Sequence, residues 1–170
     1  MNQSSGKKKN TVAAALTKQF LTFRVGSEHY GLELNQTREI IEYAGITEVP
    51  LMPNFLRGVI NLRGDVVPVI DLSVRLGRKA LDIQKRSCII VVELHGQDQD
   101  HVLGLLVDAV SEVIEMAESD IEEAPSFGAN IRAEFIQGIA KQEDQFIVLL
   151  DANNALSIRE LAHLVEAQLQ

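Results

Sequence analysis

The residues Gly58-Val59-Ile60-Asn61-Leu62-Arg63-Gly64-Asp65-Val66-Val67-Pro68-Val69-Ile70-Asp71-Leu72 decide the fold, because two apolar arms flank a polar centre. Gly64, in an Arg-Gly-Asp step, can take the positive φ that a tight turn needs. Val66, Val67, Val69 and Ile70 supply the branched side chains that suit a pleated, half-buried surface. The stretch therefore reads as a β-hairpin with Arg63 at its tip. Pro68 removes one backbone donor from the second arm, which places that arm at a sheet edge or a bulge. An edge is a surface on which other chains can dock.

Upstream, Thr37 to Tyr43 is rich in branched residues, and Gly45, Pro50 and Pro53 break the pattern into a loop that leads to the hairpin. Phe20 to Val25 and Tyr30 to Leu34 alternate on either side of Gly26-Ser27-Glu28-His29 and form a first hairpin. Residues 1–18 read as a mobile, small-residue-rich tail with at most a frayed helix from Val12 to Thr17. Downstream, Leu76 to Lys85 is charged and connective. Cys88 to Leu94 is a nearly unbroken apolar strand, His95 to His101 a polar loop, and Val102 to Val107 the returning arm, which Val110, Val113 and Ile114 extend. The acidic segment Glu115 to Glu123 runs to Pro125, and Phe135 to Ala140 with Phe146 to Leu150 form another strand pair. From Ser157 the period becomes helical: Ser157 and Glu160 make a capping box, and Ile158, Leu161, Ala162 and Val165 share one face of a helix over residues 157–168.

The chain repeats itself. Tyr30-Gly31-Leu32 recurs as Leu103-Gly104-Leu105, and Glu39-Ile40-Ile41-Glu42 recurs as Glu112-Val113-Ile114-Glu115 at the same offset. Phe55, Gly58 and Asp71 have counterparts at Phe135, Gly138 and Asp151, at a second constant offset that an insertion in the acidic loop lengthens. Two strand-rich units of this kind predict a mainly β fold of two small barrels side by side, with a groove between them. The tip Asn61-Leu62-Arg63-Gly64 corresponds to Lys141-Gln142-Glu143-Asp144, so the turn itself does not require Arg63. Two readings of Arg63 stay open: a binding residue, or an exposed cation paired with a carboxylate such as Glu39.

Hydrophobic residues make up 46% of the 170, which fits a folded globule. The net charge is −8; residues 1–18 hold four Lys and no acid, so the remainder sets 12 basic against 24 acidic residues. Nucleic acid is therefore not an expected partner. Arg57 to Arg86 carries seven basic and three acidic residues, whereas Ser87 to Ile131 carries ten acidic and no basic ones. Such asymmetry is either a solvated face or a means of steering a partner of opposite polarity. The single Cys88, in an apolar run, reads as a buried inert thiol, and no disulfide is expected. The apolar part after Lys7 to Lys9 is too short for a signal segment or a membrane span, which places the protein in the cytoplasm.

Markers of catalysis are missing. His29, His95, His101 and His163 show no metal-ligand spacing, so no metal is expected. There is no phosphate loop, Gly-x-Ser-x-Gly elbow or dinucleotide fingerprint, so no cofactor is expected. Asp71 and Asp151 close strands in both copies and read as turn or cap residues. Two functional classes follow: a non-catalytic adaptor that docks proteins on its edges and groove, or a small enzyme with an unrecognised pocket.

Gly58-Val59-Ile60-Asn61-Leu62-Arg63-Gly64, followed by Val66-Val67-Pro68-Val69-Ile70-Asp71-Leu72 and preceded by Pro50 and Pro53, resembles the CheW family of bacterial chemotaxis coupling proteins. The resemblance extends from Phe20 to Leu164 and includes Tyr30-Gly31-Leu32, Glu39-Ile40-Ile41 and Leu103 to Asp108. It implies two five-stranded SH3-like barrels packed together with some strand exchange, spanning approximately residues 19–86 and 87–152 of a domain over 19–165. It also implies an adaptor without catalytic activity that links chemoreceptor cytoplasmic tips to the regulatory domain of the histidine kinase CheA, and that self-associates in receptor arrays. By matching positions, Thr37, Glu39, Ile40, Arg63, Gly104, Val110 and Val113 belong to the receptor-facing and adjoining surface. Ile46, Gly58 and Phe127 go to the kinase side, with Phe127 on a second contact used in ring or array formation. The same scaffold in a chemosensory pathway other than chemotaxis is the alternative setting.

Overall fold

The computed structural model describes residues 16–96, 99–124 and 133–157. Among these, ten strands carry the fold: β1 (Thr17–Val25), β2 (Glu28–Glu33), β3 (Thr37–Glu42), β4 (Leu56–Leu62), β5 (Asp65–Asp71), β6 (Cys88–His95), β7 (Asp100–Val107), β8 (Ala109–Ala117), β9 (Ile136–Gln142) and β10 (Gln145–Leu150). Two four-residue helices, α1 (Leu72–Arg75) and α2 (Ala152–Ala155), follow β5 and β10. The strands form two five-stranded sheets, in the orders β8-β1-β2-β10-β9 (sheet I) and β3-β6-β7-β5-β4 (sheet II). Replacing β1 to β5 by β6 to β10, and the reverse, turns one order into the other. The internal repeat of the sequence is thus a repeat of topology, and each sheet takes strands from both halves of the chain.

The hairpin at residues 58–72 is present. β4 and β5 pair antiparallel with Leu62 opposite Asp65, and Arg63 and Gly64 form the two-residue turn at φ 52° and 92°. Two positive φ values match a type I′ turn, whose twist suits the flanking strands. Gly64 N–H donates to Asn61 Oδ1 at 2.9 Å, which fixes the turn from within. In the second copy Glu143 takes φ 55° at the matching tip, so an L-residue does adopt this conformation there without a Gly beside it.

Pro68 does not mark an edge strand: β5 lies between β4 and β7. The parallel ladder from β5 to β7 covers only Val69, Ile70 and Asp71, so Pro68 sits just before it and its missing donor costs no ladder bond there. The edge strands of sheet II are β3 and β4. Val110, Val113 and Ile114 do not extend β7. They belong to β8, which crosses to the edge of sheet I and pairs with β1. The break is a single residue, Asp108, whose backbone N–H donates to Arg24 O at 3.0 Å and whose carboxylate accepts from Gly26 N–H at 2.6 Å. At the other end, β1 begins at Thr17, which overturns the tail boundary after Lys18 and the helix end at Thr17. The expected helix from 157 lies outside the described residues, save Ser157.

Among the described residues neither sheet closes into a continuous barrel wall; isolated bridges link the outer strands instead, Thr47 with Val59 in sheet II and Glu122 with Ile139 in sheet I. A large core cluster takes Leu21, Phe23, Tyr30 and Leu32 from sheet I and Ile89, Ile90, Val91 and Leu105 from sheet II. A smaller one, Phe20, Ile114, Ala140, Ile147 and Leu149, belongs to sheet I. β1 from Phe20 to Phe23 and β6 from Cys88 to Val92 are buried at every position, because both faces of these stretches are covered.

Asp71 and Asp151 cap the two short helices, accepting from Val74 N–H at 3.3 Å and Asn154 N–H at 3.1 Å. Asp71 is fully buried and also accepts from Leu81 N–H at 2.9 Å and Arg57 Nη1 at 3.1 Å. A buried carboxylate with three donors is a structural clamp. Burial pushes the Cys88 thiol up, in keeping with an inert core residue.

Candidate interaction surface

The edge strand β3 carries the first part of the surface. Its ladder with β6 slips by one residue between Thr37, opposite Val92, and Glu39, opposite Val91, leaving Arg38 as the extra residue. Such a bulge twists an edge and re-aims its side chains. Glu39 meets the tip of the β4–β5 hairpin: Arg63 Nη1 and Nη2 donate to its two carboxylate oxygens. The Arg63 hydrogen bond holds the Glu39 carboxyl below the usual carboxylate range, and the same bond raises Arg63. Ile40, next in sequence, leaves 45% of its surface exposed.

The second copy repeats the arrangement with different chemistry. The β1–β8 ladder also slips, between Leu21, opposite Val113, and Phe23, opposite Val110. Thr22 is buried there, and its hydroxyl donates to Glu112 O at 2.8 Å and accepts from Glu112 N–H at 3.1 Å, replacing the ladder bonds that the slip removes. Gln142 Nε2, at the β9–β10 tip, donates to Glu112 Oε1 at 3.3 Å. Glu112 with Gln142 is therefore the neutral-donor counterpart of Glu39 with Arg63. Val113 is 47% exposed, so it is a surface residue rather than core. Among the described residues no ladder joins β3 to β8, and Ile40 and Val113 occupy equivalent edges of different sheets.

Ile46 and Gly58 come together on the far side of β3. Gly58 has φ 145°, and a Cβ there would stand 2.1 Å from Thr47 O and 2.8 Å from Ile46 Cγ2. Only glycine lets the backbone of 45–47 close on β4, where Thr47 and Val59 exchange two hydrogen bonds of 2.9 Å. The Thr47–Val59 bridge and the Glu39–Arg63 pair are thus two links between the sheet II edges. Between them lies a cleft of about 240 Å³, lined by residues that include Ile41, Ala44, Thr47, Val59, Asn61 and Ile89.

Three of the receptor-side positions are less accessible. Gly104 is buried opposite Val69 and Val91, and a Cβ there would stand 2.8 Å from Ile89 Cγ2, so it is a close-packing position. Val110 is half-buried against the large core. Thr37 is half-buried, and its Oγ1 has no hydrogen-bond partner among the described residues. Phe127 lies outside the described residues. Val66 and Phe146, read in the sequence only as strand residues, are 71% and 60% exposed. They stand at the offset that relates Phe55 to Phe135, and that offset was the signal that pairs them. Among the described residues no group of three or more His, Cys, Asp or Glu side chains is placed to hold a metal ion. None of their helices is long and apolar enough to cross a membrane.

The CheW-like domain family model matches residues 19–160. The chain is 33% identical over 144 residues to the chemotaxis protein CheW of Klebsiella aerogenes, covering 85% of this chain and 84% of that protein. It is 34% identical over 143 residues to the chemotaxis protein CheW of Rhizobium meliloti, covering 84% and 90%. Among solved structures, the scaffolding protein TtCheW of Thermoanaerobacter tengcongensis superposes with a TM-score of 0.71 at 40% identity, covering 79% of this chain and 84% of that one. With ten strands in two interchanged sheets, a matched pair of strapped edges and this extent of similarity, the chain belongs to the CheW family of chemotaxis coupling scaffolds.

Proposed function

We propose that this chain couples chemoreceptors to the histidine kinase CheA by binding both, and that it catalyses no reaction itself. The observation that supports this reading best is the duplicated edge: a glutamate at a register slip, tied to a hairpin tip, with an exposed branched side chain beside it. Glu39, Arg63 and Ile40 make this arrangement in sheet II, and Glu112, Gln142 and Val113 make it in sheet I. Exposed apolar anchors beside orienting charges suit the docking of a helix, with the apolar contacts supplying affinity and the charges orientation and rate. The receptor face comprises Thr37, Glu39, Ile40, Arg63, Val110 and Val113, with Gly104 supporting it from below. The kinase face comprises Ile46, Gly58 and Phe127. Both partners meet these surfaces in the cytoplasm, where the chain joins membrane receptor arrays.

Titration calorimetry with a receptor cytoplasmic fragment and, separately, with the kinase regulatory domain tests the reading. Binding of each, with neither displacing the other, is the expected result. Mutual displacement, or binding of neither, would contradict it.

A further inference from the structure

Arg75 ends α1, and its guanidinium carbon stands 4.7 Å from the Phe135 ring centroid and 5.8 Å from that of Phe55. Its Nε–H donates to Ala155 O, at the end of α2, at 2.7 Å. These partners are not independent. Phe55 and Phe135 are counterparts in the internal repeat, and Arg75 and Ala155 are counterparts at the same offset. Each aromatic residue leads into the outer strand of one sheet, and its carbonyl accepts from the helix-capping aspartate: Asp71 N–H to Phe55 O at 2.7 Å, Asp151 N–H to Phe135 O at 2.8 Å. Arg75 therefore spans the relation between the two copies, held by an aromatic ring from each and by the backbone of its own counterpart. The small Ala155 leaves room for it; a second Arg there would set two like charges against each other.

We propose that Arg75 is a positioning residue that locks the mutual orientation of the two sheets, and with it the spacing between the Glu39–Ile40 and Glu112–Val113 faces. Cation–π contacts and a directed hydrogen bond hold an angle in a way that an apolar contact of equal area does not. The hairpins that carry Arg63 and Gln142 are the ones whose ends Arg75 ties together. That this spacing matters for seating a partner rests on the coupling role proposed above; the locking itself does not.

The test needs no partner, so its failure and that of the coupling role are distinguishable. Spin labels at Arg38→Cys and Ser111→Cys, exposed counterparts on β3 and β8, report the distance between faces in a Cys88→Ala background. A narrow distribution is expected, broadened about twofold by Arg75→Met and narrowed again by Arg75→Lys, which keeps the cation. An unchanged width in Arg75→Met would overturn the proposal. If Arg75→Met does not fold, the Nε–H resonance of Arg75 in the unsubstituted chain decides: slow solvent exchange is expected, and exchange as fast as that of an exposed arginine would overturn it.

Discussion

The Arg63 guanidinium, on a hairpin turn of sheet II, closes on both carboxylate oxygens of Glu39 at the register slip of β3, tying two outer strands that share no continuous ladder. Because the folded-state value of Glu39 is lowered, the link is intact above the ordinary glutamate range and is lost as pH falls through the lowered value. A carboxyl-detected titration should find Glu39 below its ordinary value of about 4.3 and returned toward it by Arg63→Ala. An ordinary value in the unsubstituted protein would contradict this.

Arg63→Glu should leave unfolding cooperative, since the tip is exposed and the turn is held by Asn61. Receptor affinity should fall about tenfold or more, because a reversed charge faces both Glu39 and the partner. The double reversal Glu39→Arg with Arg63→Glu rebuilds the link. Recovery of binding assigns Arg63 to holding β3; continued loss assigns it to direct contact with the receptor.

Val113→Asp places a charge on an edge strand where nearly half the side chain is already in water. The loss of a branched residue should cost at most about 1 kcal/mol of stability. Receptor affinity should drop about a hundredfold, since the charge must be desolvated when a helix docks, while kinase affinity should hold. Loss of both affinities together with a collapsed melt would show Val113 to be structural.

Gly58→Ala forces a side chain into the Thr47 carbonyl at a φ that L-residues avoid. A cost of about 1–3 kcal/mol or more is expected in chemical denaturation, with the 45–47 loop displaced. Kinase binding should fall with it, through Ile46. An unchanged denaturation midpoint would contradict the close approach.

Local pattern carried most of the strands, because period-two alternation and turn residues act within a few positions. It failed where the deciding contact is distant. Nothing near Asp108 announces that the chain leaves one sheet for the other, since the groups that turn it, Arg24 O and Gly26 N–H, lie in the first hairpin, half the chain away. Pro68 misled for the same reason: whether its missing donor matters depends on where the β7 ladder starts. For the surface, the repeat was the informative signal. It paired Ile40 with Val113, which the structure exposes almost equally, and the offset between the two hairpins, applied to Leu62, would have pointed to Gln142. Gly104 looks like a surface position by sequence resemblance, yet its requirement is steric and lies between strands.

Reconstitution of this chain with a receptor fragment and the kinase tests the coupling claim most directly, with autophosphorylation as the readout. The account predicts receptor-dependent control of kinase activity only when the chain is present, and its loss with Val113→Asp. Receptor control without the chain, or kinase activity indifferent to it while both binary complexes form, would contradict a coupling role.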